Sequence, residues 1–153
     1  MLHAQDLMND NPSYCQLDDD VRSITQRFAK ENISGMLVVD EEQRLHGIIT
    51  ETDLVEQQGK LHLPTAIALF DMVIPLGEQR FENELNRLMA LKAADLMQTD
   101  VVTVDADASL VTIFENMSEK HVHHLAVLES DAVIGMISGH DVIRAMANHV
   151  SEG

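Results

Sequence analysis

Residues 135–144 read Gly-Met-Ile-Ser-Gly-His-Asp-Val-Ile-Arg, an apolar run that ends in a serine and passes into a charged helical pattern. A near-copy stands earlier, where residues 47–54 read Gly-Ile-Ile-Thr-Glu-Thr-Asp-Leu. Both segments carry a hydroxyl residue, two spacers and an aspartate, which is typical of a strand that leads into a capped helix. Asp53 and Asp141 lie 88 positions apart.

The repeat extends beyond these two segments. Ala-Gln-Asp-Leu-Met at 4–8 returns as Ala-Ala-Asp-Leu-Met at 93–97, an offset of 89. Apolar residues at helical spacing follow, in residues 21–28 and 110–117, and each is followed by a hairpin pattern of two apolar runs. The second hairpin turn is one residue shorter, which accounts for the change of offset. We therefore predict an α/β (α+β) fold in which the unit strand, helix, strand, strand, helix occurs twice.

A further segment separates the two copies. The predicted limits are the first repeat at 1–58, a helical insert at 59–92 and the second repeat at 93–153. Pro64 and Pro75 bracket an almost wholly apolar helical segment, which would pack either on the chain's own core or on another subunit. Residues 79–90 carry an apolar stripe, so we predict an amphipathic helix with a solvated charged face.

The composition is that of a globular protein with a strong negative charge. Hydrophobic residues make up 45% and charged residues 24% of the 153 residues, and the formal net charge is −16. This charge opposes long-range attraction to nucleic acid or to an anionic membrane. No apolar stretch reaches the ~18 residues of a membrane span, and the first residues do not resemble a signal peptide. A single cysteine, Cys15, cannot form an internal disulfide, so we expect a cytoplasmic protein.

Each repeat resembles a CBS domain, and the pair resembles a stand-alone tandem CBS (Bateman) module of bacterial type. The similarity rests on Asp-Leu-Met at 6–8 and 95–97, on Val-His-His-Leu-Ala-Val at 122–127, and on the two hydroxyl–aspartate segments. It implies two interlocked halves with packed sheets, related as a pseudo-twofold pair, and a disc-shaped homodimer. It also implies two clefts that bind adenosine-containing ligands such as AMP, ADP, ATP or S-adenosylmethionine.

The same resemblance implies roles for individual residues. Asp53 and Asp141 occupy the family position that accepts both ribose hydroxyls. Thr50 and Ser138 offer hydroxyl donors beside a helix N-terminus, where an anion is favoured. Thr103 matches the position whose backbone reads the base edge. The predicted ligand-binding residues are Ile48, Thr50, Asp53, Thr103, His123, His124, Met136, Ser138, His140, Asp141 and Arg144.

The two clefts are expected to differ. The adenine would be sandwiched by apolar residues of the two segments, namely Ile48, Ile49, Met136 and Ile137. Tyr14 stands at the position of Thr103 and would reshape the first cleft. The second copy has His123, His124, His140 and Arg144 where the first has Ser34, Gly35, Thr52 and Glu56. A protonated imidazole at 4 Å from a phosphate would gain about 4 kcal/mol at an effective dielectric of 20. Our hypothesis is therefore that the second cleft prefers a phosphorylated ligand and tightens as the pH falls toward ~6.5.

Each of these assignments has a structural alternative. A hydroxyl residue followed three positions later by aspartate also caps a helix, which contributes ~1 kcal/mol without any ligand. His123 and His124 would be ordinary strand residues, one facing in and one out, and Arg144 would pair with an acid on its own helix. Alternatively His121 and His123, on one strand face, would bind a metal ion with His140. No Cys pair or His-Glu-x-x-His motif supports this, so no metal is predicted.

We predict a non-catalytic regulatory module that requires no cofactor, binds an adenine nucleotide as its regulatory ligand and acts on an enzyme or transporter in trans. The alternative is a structural dimerisation protein with degenerate clefts. A third interpretation is an enzyme with an unrecognised site, but no Gly-x-Ser-x-Gly, Walker or dinucleotide-binding motif is present. Cys15 lacks a sequence partner for nucleophilic chemistry and is predicted to be structural.

Overall fold

The computed structural model describes residues 2–55 and 77–152, and the predicted unit occurs in it twice. The first copy consists of α1 (Ala4–Leu7), β1 (Tyr14–Cys15), α2 (Val21–Glu31), β2 (Gly35–Val39), β3 (Leu45–Thr50) and α3 (Glu51–Val55). Helix α4 (Gly77–Met89) follows. The second copy consists of α5 (Ala93–Leu96), β4 (Thr103–Asp105), α6 (Leu110–Lys120), β5 (His124–Glu129), β6 (Ala132–Ser138) and α7 (Gly139–Glu152). The predicted fold class is confirmed.

Equivalent helices of the two copies begin and end in the same way. The Asp20 carboxylate accepts a 2.7 Å hydrogen bond from the backbone N–H three residues into α2. The Ser109 hydroxyl caps α6 in the same way, at 3.2 Å. Both helices end at a residue with a left-handed backbone, Asn32 or His121, each with φ of 53°. These caps supply hydrogen-bond partners for backbone groups that have none within the helix. The start and the end of each helix therefore follow from the local sequence.

Each copy forms one three-stranded sheet. The strand orders are β1-β2-β3 and β4-β5-β6, with the first pair parallel and the second antiparallel in each. The second hairpin turns at Ser130 and Asp131, whose φ values of 52° and 67° suit a tight two-residue connection. In the first hairpin the Asp40 carboxylate accepts the N–H groups of Glu42 and Arg44 across a longer turn. The turn lengths therefore explain the change of repeat offset.

The buried side chains form three clusters, one in each repeat and one between the two sheets. The inter-sheet cluster consists of Leu37, Val39, Ile48, Ala126, Val133 and Met136. Ile49 and Ile137 are fully buried in the clusters of their own repeats. The prediction that these two isoleucines sandwich adenine is wrong, because successive strand residues face opposite sides of the sheet.

The opening helices are exchanged between the repeats. Helix α1 of the first copy packs on the core of the second, where the Ala4 N–H donates to the Ala108 carbonyl at 2.8 Å. Helix α5 of the second copy packs on the core of the first, where the Ala93 N–H donates to the Asp19 carbonyl at 2.8 Å. Both alanines are fully buried. Neither repeat therefore completes its core from its own sequence.

The loops after these helices extend the exchange. Asn9 and Met136 exchange two backbone hydrogen bonds, of 2.9 and 3.1 Å, so that the first loop pairs with β6. Gln98 and Ile48 do the same at 2.9 Å for both bonds, so that the second loop pairs with β3. Four backbone hydrogen bonds thus join the copies at equivalent places, next to the two hydroxyl–aspartate segments. The pseudo-twofold, interlocked arrangement is confirmed.

The insert is described in part. The apolar segment between Pro64 and Pro75 lies outside the described residues. The predicted amphipathic helix is present as α4, but only its last turn is covered: Leu88 is 2% exposed, whereas Phe81 is 67% and Leu85 39% exposed. Within residues 2–55 and 77–152, no helix combines the length and apolarity needed to cross a membrane.

Candidate functional site

A cavity of about 630 Å³ opens between the two repeats, beside the exchanged loop 98–102. Its walls contain equivalent residues of both copies: Ser34 and its equivalent His123, and Thr50 and its equivalent Ser138. Val101, Val102 and Val122 are apolar residues of the wall. This size lies within the ~300–1,000 Å³ range of small-molecule sites.

The structure brings together six of the eleven predicted ligand residues. The cavity is lined by Ile48, Thr50, His123, His124, Ser138 and His140. Thr103 lies in an adjoining depression of about 440 Å³, which shares residues 100–102 and Val122 with the cavity wall. The predicted residues that do not line the cavity are Asp53, Met136, Asp141 and Arg144. Residues assigned by sequence to two clefts thus meet in one cavity.

Both aspartates cap the helices that follow them. Asp53 Oδ2 accepts the Thr50 N–H at 2.7 Å and the Thr50 hydroxyl at 3.0 Å. Asp141 Oδ2 accepts the Ser138 N–H at 2.8 Å and the Ser138 hydroxyl at 3.0 Å. The helix cap that the sequence allowed for both motifs is therefore present, and their contacts with a ligand stay a prediction.

The second carboxylate oxygen of each aspartate also has a partner. Gln98 Nε2 donates to Asp53 Oδ1 at 2.7 Å, which ties the exchanged loop to the first motif. Arg144 Nη1 lies 3.4 Å from Asp141 Oδ1, so this arginine pairs with an acid on its own helix. The guanidinium is consequently directed to Asp141 and does not line the cavity.

The cavity histidines differ in environment. His124 is half-buried at the start of β5, with Nε2 2.9 Å from the Ser34 hydroxyl of the other repeat. Burial, and then the neighbouring His123, lower the pKa of His124 below its ordinary value of 6.5, against smaller opposing effects of Glu51 and Asp141. His124 is therefore not the ready cation that the phosphate hypothesis requires.

The pH dependence of stability follows from this lowered pKa. Below about pH 6.5 the unfolded chain binds a proton at His124 that the folded chain resists. The contribution of neutral His124 to the free energy of unfolding is therefore complete above that pH and is lost as the pH falls. We expect His124→Gln to flatten the acid limb of a urea-unfolding series, by less than the one-proton limit of about 1.4 kcal/mol per pH unit. Exposed His149→Gln is the control, and an unchanged slope in His124→Gln would contradict the assignment.

The histidines do not form the predicted strand face. His121 is the left-handed cap of α6, and His123 precedes β5, so the two do not share a strand. That prediction is wrong because the helix extends to Lys120 and leaves only a short link to β5. In the part of the chain that the structure describes, no three His, Cys, Asp or Glu side chains are grouped so as to hold a metal ion.

Two further side chains behave as core residues. Cys15 is 3% exposed in the core of the first repeat. Burial, and then the Asp19 carboxylate, raise the pKa of its thiol to about 12. The thiolate needed for nucleophilic chemistry is therefore scarce. Tyr14 is half-buried against the inter-sheet cluster, and burial raises the pKa of its hydroxyl.

Several cavity residues were not predicted from the sequence. They are Ser34, Glu51, Thr52, Gln98, residues 100–102, His121, Val122, Gly139 and Ile143. The repeat itself held a signal for two of them, because Ser34 and Thr52 are the equivalents of His123 and His140. A residue near a pseudo-twofold axis lies close to the equivalent residue of the other copy. Each cavity position predicted in one copy therefore identifies a second cavity position in the other.

The fold agrees with comparisons to known proteins. The chain is 25% identical over 138 residues to the uncharacterized protein MJ1426 of Methanocaldococcus jannaschii, which covers 84% of this chain and 82% of that one. The solved structure of the CBS domain protein NE2398 superposes with a TM-score of 0.72 at 23% identity, covering 95% of this chain and 98% of that one. Hypoxic Response Protein I, solved with two coordinated zinc ions, superposes with a TM-score of 0.66 at 19% identity, covering 95% and 99%.

The sequence model of the CBS domain matches the chain twice, at residues 4–60 and 93–148. These two segments contain both three-stranded sheets, both exchanged loops and every residue named in the cavity wall. The match therefore covers more than half of the chain and both halves of the site. The chain belongs to the CBS-domain family, as a protein with two CBS domains in tandem.

Proposed function

We propose that this protein is a non-catalytic sensor that binds an adenosine-containing ligand in the cavity between its two CBS domains. A pair of CBS domains is generally a regulatory module that can bind adenosine ligands. The observation that carries the proposal is the cavity wall, where Ser34 and Thr50 of one domain meet His123 and Ser138 of the other. A ligand there touches both domains, so its affinity depends on how they pack.

Binding would act through that packing. A ligand shifts a conformational equilibrium only when it binds one arrangement more tightly than the other, and a cavity shared by two domains meets this condition. We expect the adenine against Ile48, Val101 and Val122, and the ribose near the Thr50 and Ser138 hydroxyl oxygens. The response would be transmitted to an enzyme or transporter in trans, in the cytoplasm, without a bound cofactor.

A ligand panel tests the proposal. Protein stripped of nucleotide is titrated with adenosine, AMP, ADP, ATP and S-adenosylmethionine by calorimetry and thermal shift. A ligand at 100 times its Kd stabilises the folded state by about 2.7 kcal/mol. With no Trp and one Tyr in the chain, co-purified nucleotide is also visible at 260 nm above a low protein background.

The cavity itself offers a blocking variant. A Cβ added at Gly139 meets nothing within 4 Å, although Gly139 lines the cavity. Gly139→Leu is therefore expected to fill ligand space without disturbing the fold, and to weaken binding at least tenfold. Ala147→Leu, on the exposed side of the same helix, is the matched control. Binding that survives Gly139→Leu unchanged would place the ligand elsewhere.

A specific feature also favours assembly, as a second role or as the main one. Helices α6 and α7 contact each other and expose large apolar side chains: Val111 is 64%, Phe114 49%, Ile143 63% and Met146 42% exposed. We propose that a second copy covers this surface in a homodimer. Ile143 also lines the cavity, so ligand binding and dimer packing would share a residue.

Sedimentation experiments separate these roles. Phe114→Ser is expected to weaken the dimer, whereas Glu115→Ala, exposed on the same helix, is expected to leave it intact. A wild-type protein that is monomeric at every concentration would contradict the homodimer. A dimer with no response to any member of the ligand panel would favour the structural alternative over the sensor.

A further inference from the structure

The charge of the ligand follows from the hydrogen-bond donors that the cavity retains, provided that the proposed function holds. Phosphate groups are recognised by donors, chiefly backbone N–H groups, hydroxyls and cationic side chains. At both motifs the hydroxyl donors are already used. The Thr50 hydroxyl donates to Asp53 and the Ser138 hydroxyl to Asp141, each at 3.0 Å. These two oxygens can therefore only accept from a ligand, and Ser138 Oγ already accepts the Asp141 N–H at 3.4 Å.

The first backbone N–H groups of helices α3 and α7 also donate hydrogen bonds within the protein. The Glu51 N–H at the start of α3 donates to the Ser34 carbonyl at 3.1 Å. The Gly139 N–H at the start of α7 donates to the His123 carbonyl at 2.9 Å. The N–H groups of Thr50 and Ser138 are held by the aspartate caps. These four amides are therefore engaged within the protein and are not offered to a phosphate.

Apart from the imidazoles of His121, His123, His124 and His140, the ionisable side chains in the described wall are acidic. Glu51 and Asp100 line the cavity, and among its described lining residues none is a lysine or an arginine. Lys120 lies only in the adjoining depression, where it shares a wall with Asp100. Arg144 is held by Asp141 at 3.4 Å. A formal net charge of −16 adds a long-range field of the same sign.

We infer that the cavity selects an uncharged or cationic adenine nucleoside over an adenine nucleotide that carries phosphates. Ribose hydroxyls, an amino group or a sulfonium centre match a wall of hydroxyl lone pairs and carboxylates. A phosphate in the same place would face Glu51 and Asp100 with no lysine or arginine among the described wall residues. Adenosine and S-adenosylmethionine represent the favoured class, and AMP and ATP the disfavoured one.

Calorimetry at pH 8, where ordinary imidazoles are uncharged, tests this selection. Adenosine or S-adenosylmethionine is expected to bind at least tenfold more tightly than AMP, and ATP more weakly still. In the double variant Glu51→Gln/Asp100→Asn, the ratio of the Kd of AMP to the Kd of adenosine is expected to fall at least threefold, because AMP binds more tightly. Glu119→Gln/Asp107→Asn removes the same charges outside the cavity and is expected to leave the ratio unchanged.

The outcomes distinguish the inference from the function on which it rests. AMP or ATP binding more tightly than adenosine and S-adenosylmethionine would overturn the inference while leaving an adenosine-ligand sensor in place. A ratio that moves equally in both double variants would show that net charge, and not the cavity wall, sets the preference, and would also overturn it. If none of the four ligands binds, both the proposed function and the selection fail.

Discussion

Replacing Gly47 by alanine is expected to lower the free energy of unfolding by about 1–3 kcal/mol, the usual cost of forcing extra atoms into a packed site. A Cβ at this position would lie 2.7 Å from the Gln98 carbonyl oxygen and 2.7 Å from the Met97 sulfur. The thioether can move, but the carbonyl belongs to the pair of hydrogen bonds that joins Gln98 to Ile48. The exchanged loop therefore has to shift away from β3.

Urea unfolding measures this change, and thermal unfolding should show a decrease in Tm of roughly 2–4 °C per kcal/mol. Gly139→Ala is the matched control, because its new Cβ would stand in open space. Unchanged stability in Gly47→Ala would mean that the loop is not held against β3 as the structure has it.

Ile49→Ala and Ile137→Ala are each expected to destabilise the protein by about 2–5 kcal/mol, the range for truncation of a fully buried isoleucine. The two residues are equivalent in the repeat, both are fully buried, and each belongs to the core of a different CBS domain. A loss of this size is a large part of the ~5–15 kcal/mol that stabilises a typical protein.

Because the domains exchange their opening helices, both substitutions should move one shared unfolding transition. The measurement is urea unfolding followed by two probes, with Val55→Ala, 79% exposed and outside the proposed dimer surface, as the control. Two separate transitions, with only one moved by each substitution, would contradict the interlocked arrangement. Retained stability in either variant would contradict its place in the core.

Local features were predictable from the sequence because they depend on neighbours in the chain. The caps at Asp20 and Ser109 and the helices that they begin lie within single segments, and the repeat offset follows from the hairpin turns. The assignment of Ile48 and Ile49 to faces was not predictable in this way. Strand β3 is buried on both sides at this point, so the alternation that normally identifies the core face is missing.

The exchange of α1 and α5 had no local signal either. Each opening helix contacts residues about 100 positions away or on the far side of the insert, as Ala4 does with Ala108. The cavity was difficult to predict for the same reason, because Ser34 and His124 are 90 positions apart and yet share a hydrogen bond. Six of the seventeen described cavity residues were accessible through the family motifs, and the rest required the pairing of the two domains.

The exchanged helices also have a consequence for biosynthesis. A ribosome releases the chain from its amino end, and domains usually fold in that order. Here the core of the first domain is not covered by Ala93 and Leu96 until the second domain has begun to emerge. Helix α1 packs on the core of the second domain, which is synthesised last. The nascent chain consequently exposes apolar surface through most of its synthesis. Folding is completed only when residues 103–138 are available, so the two halves mature together and not in sequence.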